Sequence, residues 1–116
     1  MPKYEGLIII LKDITLLQPL LKTYIANDVQ GCTIMDSEGM THLIVDSDKD
    51  ASHFSSLRAL LNCSGSSSKT LLIVGNELDV DKAVKITLEV IGDINKPDTG
   101  FMLTFPIDSV YGFSKK

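Results

Sequence analysis

The sequence predicts an α+β fold in the order βαββαβ. Three observations carry that prediction: an isoleucine-rich run near the N-terminus, two later segments with helical spacing of apolar residues, and two further β-branched or aromatic runs near residues 70 and 100. With 116 residues, 44% of them apolar, the chain is sized for a single domain over residues 1–116 with a packed core.

Residues 6–11 are short, apolar and rich in isoleucine, which suits a strand buried on both faces. Next, Thr15-Leu16-Leu17-Gln18 has the form of a capping box, with Leu17, Leu20, Leu21, Tyr24 and Ile25 on one helical face. Pro19 then falls in the first turn, where its missing N–H costs little; alternatively the helix begins near Gln18. Residues 27–31 supply stop signals, and residues 32–35 form a second strand leading into the acidic turn Asp36-Ser37-Glu38-Gly39.

Residues 39–68 make a long excursion. Within it, 41–45 reads as extended and 53–61 has helical spacing, while 62–68 has the composition of a linker. The third strand is 70–74. The second helix places Val80, Ala83, Val84, Thr87, Leu88 and Ile91 on one face and an Asp81, Lys85, Glu89 ladder on the other, with Gly92 as its stop. The fourth strand is 100–105, and Pro106 belongs at a strand end or a sheet edge. Two similar βαβ halves give a ferredoxin-like arrangement, a four-stranded antiparallel sheet with two helices on one face. The other face then needs a cover, and in so short a chain another subunit is the natural one.

Composition excludes several functions. A net charge of -4 with scattered lysines offers no footprint for nucleic acid. The N-terminal apolar run is too short to span a bilayer, so a soluble, cytoplasmic protein without membrane insertion is expected. Cys32 and Cys63 have no CxxC or Cys/His spacing, and His42 and His53 have no metal-like spacing. No catalytic motif stands out, so the expected protein is not an enzyme.

The segments GCTIMDSEGM, SLRALLN, KTLLIVGN and PDTGFMLTFPIDSVYGF, in this order, resemble the nitrogen-regulatory P-II superfamily, and its short P-II-like members above all. The resemblance spans nearly the whole chain. It implies a ferredoxin-like homotrimer that binds ATP or ADP in clefts between subunits and docks on a regulated protein through a T-loop between strands two and three. By position, residues 39–68 are that loop, DSEGM is its base, and NKPDTG stands where the family holds phosphates. The departures are equally specific. The turn reads Lys96-Pro97-Asp98-Thr99-Gly100 with its lysine ahead of the proline, the C-terminal segment lacks arginines, and no tyrosine lies in 39–68. This pattern suits a ligand with fewer phosphates than ATP, or none.

The candidate nucleotide or anion contacts are Asp36, Gly39, Met40, Lys96, Thr99 and Gly100. Lys96, Thr99 and Gly100 can donate to an anion through a side chain and backbone N–H groups, although a Pro-Asp-x-Gly turn needs no ligand to form. Gly39 lets a backbone approach a base or simply supplies positive φ; Asp36, Glu38 and Asp98 can hold a ribose or a metal, or form Asx turns. Met35, Met40 and Met102 can line an adenine pocket or fill core gaps. Phe54, Leu57 and Arg58 are the candidate partner or ligand contacts of the loop, Arg58 being the only arginine. The expected function is sensing of a small anionic metabolite, with an adenine nucleotide as a candidate ligand, and control of a protein partner. Two competitors stand beside it: a metal-handling trimer of the CutA type, and a constitutive interaction module that needs no small ligand.

Overall fold

The structure, a computed structural model, describes residues 3–39, 68–97 and 99–113. The expected extended segment at 41–45 and helix at 53–61 lie outside the described residues, as do Met40, Phe54, Leu57, Arg58 and Asp98. The described residues form four strands: β1 (Tyr4–Leu11), β2 (Cys32–Ser37), β3 (Ser68–Asn76) and β4 (Gly100–Ile107). They form one antiparallel sheet in the order β2-β3-β1-β4. Helices α1 (Leu17–Ala26) and α2 (Glu77–Ile91) complete the predicted ferredoxin-like fold. No helix among the described residues is long and apolar enough to cross a membrane.

The first helix begins differently from the capping box. Asp13, rather than Thr15, is the cap: its Oδ1 accepts from the Thr15 N–H at 3.2 Å and from the Thr15 hydroxyl at 2.5 Å. A single 3₁₀ turn, Ile14–Leu16, follows, and α1 starts at Leu17. Pro19 is then the third residue of α1, where an N–H would have had no intrahelical partner. At the other helix, Asn76 accepts from the Asp79 N–H at 2.9 Å and Gly92 closes the C-terminus at φ 82°. Pro106 lies within β4 rather than beyond it, which the sheet tolerates because β4 is an edge strand.

Alternation along the strands divides the sheet into two faces. Leu7, Ile9 and Leu11 of β1 and Leu71 and Ile73 of β3 point to the helices and are buried with Leu20, Tyr24, Val80, Ala83 and Ile86. Full burial of such a side chain contributes about 1.5–3 kcal/mol. Ile25 and Leu88, expected on the core faces, are exposed, and Ile86 is buried instead. The helices meet along the line joining Tyr24 to Thr87, and the residue after each of these two is turned about 100° away from it.

That line is fixed by a buried polar contact. The Thr87 hydroxyl donates to the Ala83 carbonyl at 2.7 Å, which leaves the Tyr24 hydroxyl, 2.6 Å away, to donate to Thr87. Both residues are essentially inaccessible to solvent. Burial pushes the Tyr24 phenol up to about 12 from 10.0. Because the folded value is raised, the stabilisation is complete below pH 10 and is lost as the pH climbs through 12. Tyr24→Phe should cost about 1–2 kcal/mol at neutral pH. In urea titrations it should also flatten the loss of stability between pH 10 and 12; an unchanged alkaline slope would place that titration elsewhere.

Candidate anion site at one end of the sheet

Strand direction brings distant parts of the chain to one end of the sheet. β1 ends at Leu11, which lies opposite Lys69 near the start of β3 and opposite Gly100 at the start of β4. Lys69 in turn faces Asp36 near the end of β2. One cross-strand row therefore reads Asp36, Lys69, Leu11, Gly100. Three strand spacings separate its ends, roughly 14 Å. The 37–68 stem and the turn between α2 and β4 are thus neighbours in space.

The turn is closed on itself and on β1. Asp93 starts it: its Oδ1 accepts from Asn95 N–H at 3.0 Å and its carbonyl from Lys96 N–H at 3.1 Å. Thr99, 7% exposed, accepts through its carbonyl from the N–H groups of Lys12 at 3.0 Å and Asp13 at 3.3 Å, and its own N–H reaches the Lys96 carbonyl at 3.4 Å. The Thr99 amide is therefore engaged within the turn, and the Lys96 side chain is exposed to solvent, as are Asp93 and Asn95. Gly100 has φ 134°, and a Cβ there would overlap the Ile10 carbonyl oxygen. Close backbone approach explains this glycine.

The stem is pinned on both faces. On the helix face the Lys69 Nζ pairs with Asp36 Oδ1, the lysine 29% and the aspartate 76% exposed. On the opposite face the Ser37 and Ser68 hydroxyls lie 2.8 Å apart and Thr70 donates to Ser37 at 2.8 Å. Glu38, at the exit of β2, has a buried carboxylate oxygen, Oε2, without a hydrogen-bond partner among the described residues. Gly39 is exposed. Asp36, Gly39, Lys96, Thr99 and Gly100 are thus gathered at one sheet end, Asp36 across the row from Gly100. Met35 and Met102 do not join them as one pocket: Met35 is exposed on the open face of an edge strand, whereas Met102 packs against the core.

Lys12 and Lys69, absent from the sequence-derived set, also reach this end. Their signal was the strand register, since each lies near a strand end that antiparallel pairing brings to the same end of the sheet. Cys32 is half-buried against the core, and burial raises its thiol above the usual range. Cys63, His42 and His53, the other residues of the metal-handling alternative, lie outside the described residues.

Arabidopsis thaliana PII bound to citrate superposes on this chain with a TM-score of 0.62 at 14% identity, over 91% of this chain and 78% of that one. The fold is P-II-like. Bacillus subtilis GlnK in its complex with ATP shares the P-II-like fold at a TM-score of 0.59 and 12% identity, over 90% of this chain and 82% of that one. A functionally unknown protein from Pediococcus pentosaceus matches at 0.62 and 14%, over 97% of this chain and all of that one. No protein-family model and no curated protein sequence matches the chain.

Two glycine variants test the geometry of this sheet end. Gly100→Ala should lower unfolding free energy by roughly 3 kcal/mol, because strain and backbone overlap act together. Gly31→Ala, at φ 77° with open space around it, should cost only about 1 kcal/mol. Equal losses in chemical denaturation would contradict the close approach of Gly100 to β1.

Proposed function

We propose that the chain is a P-II-like regulatory protein, not an enzyme, that senses a small anionic metabolite at this end of the sheet and controls a protein partner through residues 39–68. The observation that supports it best is the register itself. In a fold shared with a citrate-bound PII and an ATP-bound GlnK, it sets the exposed Lys96 turn beside the stem from which 39–68 departs. Asp36, Gly39, Met40, Lys96, Thr99 and Gly100 are the proposed ligand contacts, and Phe54, Leu57 and Arg58 the contacts for the partner. Glu38 adds an acceptor for a hydroxyl or amine donor on the ligand.

The open face of the sheet supports the homotrimer. It presents Ile8, Ile10, Leu72, Val74, Phe101, Leu103 and Phe105, with Phe101 and Leu103 about half exposed, and no helix among the described residues covers it. An apolar surface of that extent is characteristic of an interface. In the proposed assembly three copies bring their open faces together, and the ligand sits where one copy's sheet end meets its neighbour.

Calorimetry with ATP, ADP, AMP and citrate tests the ligand. Binding of at least one of them at submillimolar affinity is expected, with hydrogen exchange over 39–68 changing on binding. No heat from any of them at millimolar concentration would refute the sensing role, and protection over 39–68 that is uniform and ligand-independent would favour a constitutive interaction module. Light scattering should return three times the monomer mass. A Phe101→Asp, Leu103→Asp variant should run as a monomer.

A further inference from the structure

Strand alternation puts Tyr4 on the open face with Gly6, Ile8 and Ile10, because Leu7, Ile9 and Leu11 are buried on the helix face. Its partner across the strands in β4 is Ile107, the last residue of that strand. Two residues further in, Gly6 faces Phe105, whose ring lies over the glycine. Tyr4, Phe105 and Ile107 therefore carry the apolar surface of Ile8, Leu103 and Val74 on to this end of the sheet. The residues after β4 come back onto it. Gly112 has φ 75°, a left-handed turn, and the Phe113 ring meets the Tyr4 ring edge-on, with centroids 5.5 Å apart and planes at 78°.

This return is lightly held. β4 pairs with β1 as far as Ile107, and among the described residues no backbone hydrogen bond joins 109–113 to the sheet. Val110 is half-buried, Phe113 is 37% exposed, and Tyr111 between them is 91% exposed. An edge-on aromatic pair shifts an equilibrium by roughly 2- to 10-fold, which leaves such a segment free to detach. The surface beneath it is continuous with the face proposed for assembly, and two occupants cannot fill that surface at once.

We propose that residues 108–113 are an intramolecular strap that competes with a second copy of the chain for the Tyr4 end of the open face. The strap is closed in the single chain and released on assembly. This rests on the assembly reading above. A second copy is the occupant because the covered patch is apolar and extends, without a break, the surface that the copies bring together. The strap lies at the end of β1 opposite Leu11 and Gly100, so it sets the strength of assembly without touching the candidate anion site.

The test compares the wild type with Phe113→Ala, Phe113→Tyr and Gly112→Ala by light scattering over a dilution series, with thermal unfolding of each variant as the folding control. Open space surrounds a Cβ at Gly112, so Gly112→Ala acts only through its φ. Three copies each release a strap, so Phe113→Ala should carry the trimer to a roughly 3- to 30-fold lower protein concentration, the pair's factor raised to the power 1.5. Gly112→Ala should shift it the same way, and Phe113→Tyr, which keeps the ring, should leave it in place. In nuclear Overhauser spectra, contacts between the Tyr4 and Phe113 rings should be present in the Phe101→Asp, Leu103→Asp monomer and lost in the wild-type trimer. A trimer that Phe113→Ala leaves unchanged or weakens overturns the competition, as do ring contacts that persist in the trimer. Wild type and Phe113→Ala that both stay monomeric at every concentration overturn the assembly reading itself.

Discussion

The antiparallel pairing of β1 with both of its neighbours is the constraint on which the rest of the structure depends. Leu11 cannot face Lys69 and Gly100 together unless β3 and β4 both begin where β1 ends. From that register follow the burial of Leu7, Ile9 and Leu11 under the helices, the proximity of the α2–β4 turn to the 37–68 stem, and the glycine at position 100. A slip of one residue would exchange the two faces of β1 and put its buried leucines on the open side. Pairing on both edges of β1 makes such a slip doubly costly.

The two faces of the sheet divide the work. On the helix face the core is apolar except for Tyr24 and Thr87, whose hydroxyls meet where both residues are buried. On the open face no helix among the described residues covers the apolar strands, so the same sheet that stabilises the monomer also supplies the surface proposed for assembly. Phe105 illustrates the coupling: its ring lies over Gly6, where any Cβ would overlap it, so the open surface of β1 and β4 is shaped by a contact across the strands. The proposed assembly and the proposed anion binding would then both draw on one sheet, the first on its face and the second on its end.

Much of the fold was legible because local chemistry and tertiary context agree. The isoleucine run of β1, the periodic face of α2 and the stop at Gly92 each carry their own physical signal. Where they disagree, tertiary contacts decide. Asp13 caps the first helical turn in place of Thr15, since the chain leaves β1 tied to Thr99 and the Asp13 carboxylate meets the Thr15 amide first. Ile25 and Leu88 fit an idealised helical face but not the one selected by the Tyr24–Thr87 contact. At the candidate site, Asp36, Lys96, Thr99 and Gly100 could be named from turn chemistry. Lys12 and Lys69 could not, because only the register shows that they share a sheet end with the turn.

The central claim is that an anion binds at the end of the sheet where β1 stops. Amide chemical-shift mapping of the labelled protein, titrated with citrate or ATP, tests it most directly. Shifts concentrated at Asp36, Lys69, Lys12, Lys96 and Gly100, with Tyr4, Asn76 and Ile107 at the far end unmoved, are the predicted result. Shifts confined to that far end, or spread over the helices with Lys12, Lys69 and Lys96 silent, would contradict it.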